Sequence, residues 1–305
     1  MNFSFLHKMM ERPRLFTQCL FSAVTNGYWY GFFTGRIYTG PAKALCVPGL
    51  NCYSCPGALG SCPIGSLQAV LASRNYRFSF YVVGFFLLFG SLFGRLICGW
   101  LCPFGLVQDL FYRIPLPGWL KRRISKRKNL PAHKILVWVK YLILVGFVIL
   151  LPLFALDMIG QGSPWFCKYL CPSGTLGAGI PLLLTNEPLR QAAGFLFQWK
   201  FAILLFLLIL SLLVYRPFCK YLCPLGAIYS FFNPIALYRY QVQDHACVKC
   251  GKCQKSCKMD IRVWENPNHP ECIRCGDCVS TCPTGAIQKV PLTAKKDSGT
   301  STSFK

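Results

Sequence analysis

The chain has 305 residues, of which 53% are hydrophobic and only 14% charged, and it carries a formal net charge of +23 at pH 7. Soluble chains carry about 25% charged residues, so this composition argues against a soluble globular protein and favours an integral membrane protein. The 19 cysteines do not indicate a secreted disulfide scaffold, because such scaffolds are short and lack membrane spans.

Four segments in chain order are apolar enough to cross a bilayer, which takes roughly 20 residues in a helix. The predicted spans cover about 15–35, 78–98, 135–156 and 199–218. Composition changes near residue 240, where the apolar runs stop. We therefore predict a membrane domain over 15–240 and a second domain over 241–290, followed by a disordered tail at 291–305.

Basic loops predict the orientation of the spans. The densest basic run, WLKRRISKRKNL at 119–130, lies between the second and third spans, and further basic residues lie in the N-terminal segment 1–14. Basic loops stay on the cytoplasmic side, so we predict a multi-pass protein of the cytoplasmic membrane with both termini in the cytoplasm. The basic excess thus favours contact with anionic membrane lipid and no binding of nucleic acid. Lys140 and Lys200 are expected to snorkel from helix ends.

Two segments on the opposite side contain cysteines within Gly-rich and Pro-rich sequence. Residues 44–73 carry no charge, residues 163–184 are similar, and the two share the sequences CPIG (62–65) and CPSG (171–174). Irregular backbone at membrane depth is tolerated only where protein buries it. Both segments are therefore predicted to be re-entrant or interfacial.

These segments are part of an internal duplication. Each half runs from a span through an outer Cys-Pro-x-Gly segment and a second span to an inner motif, RLICGWLCPFG (95–105) or RPFCKYLCPLG (216–226). Repeats in membrane proteins commonly build a shared site between the halves. The predicted fold is an all-α polytopic, internally duplicated membrane domain followed by a small α+β domain.

The small domain carries two runs of C-x2-C-x2-C-x3-C, which is the cysteine spacing of bacterial two-cluster ferredoxins. In that arrangement each run lends its fourth cysteine to the other cluster, so two [4Fe-4S] clusters are predicted. Their ligands are Cys247, Cys250, Cys253 and Cys282 for cluster 1, and Cys272, Cys275, Cys278 and Cys257 for cluster 2. Two complete runs argue against a zinc module. Lys258 stands where proline usually follows the fourth cysteine.

The inner motifs supply a second group of thiols. Cysteines four apart on a helix share one face, so facing halves would bring four thiols together near the cytoplasmic boundary. The predicted inner set is Cys98, Cys102, Cys219 and Cys223. These thiols could hold a further iron–sulfur cluster or another metal, with Arg95 and Arg216 offsetting the negative charge. Alternatively they are free thiols or disulfides, and both arginines snorkel.

The outer segments supply a third group. Its members are Cys46, Cys52, Cys55, Cys62, Cys167 and Cys171. Six thiols could supply four cluster or metal ligands, or form disulfides facing an oxidising exterior. A cluster here would give redox centres near both membrane faces, and the protein would be a transmembrane electron conduit.

Over about residues 80–287 the chain resembles the NapH-type membrane ferredoxins, which include the quinol dehydrogenase subunit of periplasmic nitrate reduction. The paired C-x-x-x-C-P motifs and the eight ferredoxin cysteines carry this resemblance, and the membrane parts of NosR-type and CcoG-type proteins are similar. The resemblance implies electron transfer between the quinone pool and a partner. CcoG-type relatives imply metal reduction during oxidase assembly instead. The cysteines at 46–62 and the pair Cys167 and Cys171 depart from the NapH pattern and favour a conduit.

The predicted function is therefore electron transfer between quinol or an exterior partner and a cytoplasmic partner, as a subunit of an oxidoreductase. The alternatives are a metal-handling assembly factor and a transmembrane thiol–disulfide relay. No residue is predicted to be catalytic, because the sequence has neither a dinucleotide-binding motif after a strand nor a haem-attachment motif.

Overall fold

The computed structural model describes residues 13–73, 80–115, 130, 132–156 and 161–290. These residues form a largely helical protein with one two-stranded sheet. The predictions for the first twelve residues, for nearly all of the basic run 119–130 and for the tail 291–305 fall outside the described residues.

The first half of the membrane part contains six helices between Pro13 and Arg113. They are α1 (Pro13–Thr25), α2 (Trp29–Thr34), α3 (Pro63–Ala72), α4 (Phe80–Phe93), α5 (Leu96–Trp100) and α6 (Pro103–Arg113). The predicted first span is interrupted after Thr25, and α2 ends at Gly35 in the left-handed conformation. The loop between α2 and α3 carries the first four outer cysteines and a short 3-10 turn, Pro41–Ala44.

The second half contains two long helices and several short ones. Its elements are α7 (His133–Phe154), α8 (Phe166–Leu170), α9 (Pro172–Gly174), α10 (Thr175–Gly179), α11 (Ile180–Thr185), α12 (Glu187–Gln191), α13 (Phe195–Leu213), α14 (Pro217–Tyr221) and α15 (Pro224–Phe232). Helix α7 is π-helical over Leu144–Leu150, and α8 and α10 are π-helical throughout.

Two of the described helices, α7 and α13, are long and apolar enough to cross a membrane. Their side chains are mostly not covered by protein: Trp138, Leu142 and Phe206 are all exposed. Soluble proteins rarely expose such extended apolar surface, so lipid is the environment that suits these two helices. Within the described residues, helix α4 is apolar and 14 residues long, which is short of a full span.

The paired cysteines of each inner motif do not lie on one helix, and that part of the sequence prediction is wrong. Cys98 lies in α5, whereas Cys102 has extended backbone angles and caps α6. The second half is the same, with Cys219 in α14 and Cys223 capping α15. Each second cysteine precedes a proline, which disfavours helical geometry in the residue before it and starts the next helix.

The C-terminal domain is a small α+β unit. Strands β1 (Arg239–Val242) and β2 (Ile287–Val290) pair antiparallel, and the helices α16 (Lys252–Ser256) and α17 (Asp277–Thr281) lie between them in the chain. The chain termini of the domain therefore meet in the sheet. Tyr240, Ile261 and Ile273 form part of its buried core. This is a ferredoxin-like domain, as predicted.

Buried ionic and polar contacts hold this domain against the membrane part. Glu271 pairs with Arg95 and with Lys140, both of which are fully buried. Burial alone would raise the pKa of the Glu271 carboxyl, but these two cations lower it to about 2. Lys140 therefore does not snorkel, because its ammonium group points at the domain interface.

A glycine makes the closest backbone approach across this interface. A Cβ added at Gly99 would overlap the carbonyl oxygen of Ile273, while the neighbouring Trp100 donates a hydrogen bond to the carbonyl of Arg274 at 3.0 Å. Only glycine allows α5 to lie this close to the ferredoxin-like domain.

We expect Gly99→Ala to push the two domains apart, because the methyl group has no space. Overpacking of this kind costs about 1–3 kcal/mol. Thermal unfolding in detergent should show a lower midpoint, and limited proteolysis should release the C-terminal domain earlier. Gly84→Ala is the matched control, since a Cβ at Gly84 meets no atom within 4 Å. Equal behaviour of the two variants would contradict the proposed contact.

Candidate iron–sulfur centres

The structure brings the ferredoxin cysteines together in two groups, each containing three cysteines of one run and the fourth cysteine of the other run. One small cavity is lined by Cys247, Cys250, Cys253 and Cys282. A second cavity is lined by Cys257, Cys272, Cys275 and Cys278. The exchange arises because α16 and α17 are adjacent, so each run ends beside the other.

Both cysteine loops share an unusual backbone. Lys249 and Arg274, which precede the second cysteine of each run, have positive φ angles of 49° and 51°. Gly251 and Gly276, which follow it, also have positive φ. Side-chain-bearing residues seldom adopt this conformation, but it turns successive N–H groups inward to form an anion-binding nest. Cys272, for example, accepts a hydrogen bond from the backbone N–H of Arg274.

The inner cysteines meet in one buried cluster between the two halves. Each is at least 94% buried, and Cys223 lies within electrostatic range of the other three. Gln108, which no sequence motif indicated, also belongs to this site: its amide nitrogen donates to Cys219 Sγ at 3.2 Å and its oxygen accepts from the Phe218 N–H at 3.1 Å. Leu50 is a second such residue, and its backbone N–H donates to Cys102. Donors aimed at sulfur suit a thiolate-bound cluster.

Arg95 and Arg216 make reciprocal contacts between the halves. Arg95 donates to the carbonyl of Cys219 at 3.2 Å, and Arg216 donates to the carbonyl of Cys98 at 2.5 Å. Both side chains are fully buried, so the snorkelling alternative is wrong. The two cations lie beside the four thiols, where positive charge would offset that of an anionic cluster.

Different carboxylates compensate the two arginines. Asp109 on α6 binds Arg216 through both oxygens, at 2.7 and 2.6 Å, and also binds Arg14. Arg95 binds Glu271 of the ferredoxin-like domain instead. The membrane part therefore completes its duplicated site only by contact with the C-terminal domain.

The outer cysteines separate into two groups. Four of them line one cavity of about 730 Å³, namely Cys52, Cys62, Cys167 and Cys171. Cys46 instead lies beside the hydroxyls of Ser61 and Ser66, and Cys55 lies 3.6 Å from the side-chain oxygen of Asn26. In the described part of the chain no three His, Cys, Asp or Glu side chains surround the position of a single metal ion.

The helical domain with buried cysteine sites and the ferredoxin-like domain together define an iron–sulfur electron-transfer protein. Sequence comparison agrees with this class. A 4Fe-4S binding domain family matches residues 75–127, 139–184 and 196–236, and a second 4Fe-4S binding domain family matches residues 268–288. Three of the paired-cysteine motifs fall within the first set of matches. The protein therefore binds [4Fe-4S] clusters.

Three curated relatives place the chain more closely. It is 31% identical over 203 residues to the uncharacterized protein MJ0750 of Methanocaldococcus jannaschii, covering 64% of this chain and 72% of that one. It is 28% identical to the ferredoxin-type protein NapH of Haemophilus influenzae, covering 65% and 60%. It is 29% identical to the methylamine utilization ferredoxin-type protein MauN of Methylobacillus flagellatus, covering 58% and 51%.

The chain belongs to the NapH-type family of ferredoxin-type iron–sulfur proteins. NosR of Pseudomonas aeruginosa is a further relative, of which the chain covers only 23%. No solved structure matches the chain.

Proposed function

We propose that this protein passes electrons between quinol or an exterior redox partner and a cytoplasmic partner, with clusters in the membrane domain as well as in the ferredoxin-like domain. The eight ferredoxin cysteines hold two clusters in the grouping described above, and Cys98, Cys102, Cys219 and Cys223 hold a third. The clusters, when bound, would supply one-electron transfer, which changes no covalent bond between one cluster and the next, whereas oxidation of a quinol would also release its two hydroxyl protons.

The observation that carries this proposal is the direct connection between the inner thiols and the ligands of cluster 2. Lys220, next to Cys219, donates to the carbonyl of Lys258, next to Cys257, at 3.0 Å. Gly99, next to Cys98, packs against Ile273, next to Cys272. The sequence neighbours of two inner cysteines are therefore in direct contact with the sequence neighbours of two cluster 2 ligands. Electrons could pass between the sites without crossing solvent.

Cluster 1 is the natural exit towards a soluble partner. Its ligand Cys250 is exposed, and Val248, next to the ligand Cys247, is 65% exposed. Cluster 2 is covered by the membrane part. The proposed order from the membrane outward is therefore the inner site, cluster 2, cluster 1 and the partner. Exposed apolar surface beside a redox centre suits a transient protein contact.

The membrane arrangement proposed here has four spans within residues 15–240, with the ferredoxin-like domain at 241–290 in the cytoplasm. Helices α7 and α13 are long and apolar enough to be two of these spans, which supports this arrangement. The other two would involve the broken helical segments α1 to α2 and α4 to α5. Lipid would cover the exposed apolar faces, and basic residues near the ferredoxin-like domain would face the cytoplasmic surface.

The experiment is anaerobic reduction of the full chain in lipid vesicles, followed by addition of a quinone. We expect the reduced-cluster EPR signals to decay as the quinone accepts electrons, and we expect the decay to need the inner cysteines. Copper that copurifies with the protein, together with no effect of quinone, would support the metal-handling alternative. Thiol accessibility that changes with redox state at constant iron content would support the thiol–disulfide relay.

A further inference from the structure

The outer cysteine cavity repeats the construction of the inner site. The chain contains five Cys-Pro-x-Gly stretches, of which the one at 282–285 belongs to the ferredoxin-like domain and the other four to the membrane part. In each of these four, the cysteine forms a pair with the residue four positions before it. These pairs are Ala58 and Cys62, Cys98 and Cys102, Cys167 and Cys171, and Cys219 and Cys223. Three of the four pairs have two thiols, and the pair with Ala58 has one.

Each second cysteine is held in the same way. It precedes the proline that begins a helix, and its sulfur accepts a hydrogen bond from the backbone N–H of the glycine three residues later. This holds for Cys62, Cys102, Cys171 and Cys223. The motif therefore fixes a sulfur at a helix N-terminus with a donor already directed at it.

In each pair, the backbone carbonyl of the first residue accepts a hydrogen bond from an Arg or Lys side chain elsewhere in the chain. In the inner site the cations are Arg216 on Cys98 and Arg95 on Cys219. In the outer site Lys200 donates to the carbonyl of Cys167 at 3.1 Å, and Lys43 donates to the carbonyl of Ala58 at 2.9 Å.

The two sites also share a pair of hydrogen bonds made by a glutamine side chain. Gln108, six residues after Cys102, bonds Cys219 Sγ and the N–H of Phe218. Gln68, six residues after Cys62, donates to Cys167 Sγ at 3.3 Å and accepts from the N–H of Phe166 at 3.0 Å. In both sites, therefore, a glutamine side chain donates a hydrogen bond to a cysteine sulfur and accepts one from the N–H of the residue before that cysteine.

The thiol missing at Ala58 has a substitute in Cys52. Cys52 lies close enough to Cys171, Cys62 and Cys167 for charges on the thiols to interact. A Cβ added at Gly174 would lie 3.5 Å from Cys52 Sγ and 3.9 Å from Cys171 Sγ, so these two sulfurs flank one space that glycine leaves open. The four thiols therefore surround one cavity.

We infer that Cys52, Cys62, Cys167 and Cys171 bind a fourth [4Fe-4S] cluster, and that Cys46 and Cys55 do not take part. This inference extends the proposed function, because it provides an electron entry site on the far side of the inner cluster. Leu50 connects the two sites: its N–H donates to Cys102, and its carbonyl accepts from Ser173 at 3.2 Å, two residues from Cys171.

The test compares cysteine variants of the full chain, purified anaerobically. Cys52→Ala and Cys171→Ala should each lose about four irons and four sulfides, and the double variant should lose no more than either alone. Cys46→Ala and Cys55→Ala are the matched controls and should retain the full content. The EPR signals of the ferredoxin clusters report that each variant has folded.

A second measurement needs no substitution. The outer cavity is open, so free thiols in it would react with a small alkylating reagent. We expect Cys52 and Cys167, which are partly exposed, to be protected until the iron is removed, whereas Cys46, which is also partly exposed, should react at once. Unchanged iron in Cys52→Ala and Cys171→Ala, iron loss in Cys55→Ala, or a disulfide among the four in native protein would overturn the inference. Electron transfer to quinone through the inner site could still hold in each of these cases.

Discussion

Cys219→Ala should remove about four irons per chain and abolish electron transfer from the ferredoxin clusters to quinone, while leaving both ferredoxin clusters in place. The sulfur of Cys219 accepts a hydrogen bond from the Gln108 amide, and its carbonyl oxygen accepts one from the Arg95 guanidinium, so the residue is fixed from two sides. A side chain held in this way is preorganised as a ligand. Iron and sulfide content, with the EPR spectrum of the dithionite-reduced protein, measures the loss.

The matched control for Cys219→Ala is Cys19→Ala, because Cys19 lies in α1 and belongs to none of the three cysteine groups. The double variant of Cys98 and Cys219 should lose the same four irons as the single variant, since both residues would bind one cluster. Normal iron content in the single variant, or additive losses in the double variant, would show that the inner thiols do not share a cluster.

Glu271→Gln should strongly weaken the attachment of the ferredoxin-like domain. The substitution would leave Arg95 and Lys140 buried without a counter-charge, and removing one partner of a buried ion pair costs about 3–5 kcal/mol. Because Arg95 also holds the backbone of Cys219, the inner site should be disturbed as well. We expect a lower midpoint of thermal unfolding, earlier proteolytic release of the domain and slower oxidation of the ferredoxin clusters by quinone.

Glu265→Gln provides the control for Glu271→Gln, because Glu265 lies in the same domain and pairs with Arg262 at the surface. Exposed pairs contribute about 0–1 kcal/mol, so this variant should be nearly neutral. If the two variants behave alike, the buried triad of Arg95, Lys140 and Glu271 does not join the domains as described.

The ferredoxin-like domain was largely predictable because its information is local. Cysteine spacing determines how three thiolates can surround one cluster, and the two runs are close enough in the chain to exchange their fourth cysteines. The positive φ angles at Lys249 and Arg274 were not predictable, because neither residue type signals that conformation. The tertiary fold and the inward N–H groups impose it.

The membrane sites were predictable only as sets of cysteines. Repetition in the sequence identified the inner four, but Gln108, Asp109 and Glu271 contribute through contacts that span 107 to 176 residues of chain. The choice of Cys52 among the outer six also depends on tertiary structure. The paired cysteines do not share one helical face, as their spacing predicted, because Pro103 and Pro224 begin new helices.

The central claim is that the membrane domain itself holds clusters. Iron and acid-labile sulfide per chain, measured on anaerobically purified full-length protein together with the reduced-state EPR spectrum, test this claim most directly. We predict about sixteen irons and sixteen sulfides, corresponding to two ferredoxin clusters, one inner cluster and one outer cluster. A value of about eight, with EPR signals from the ferredoxin clusters alone, would contradict the claim.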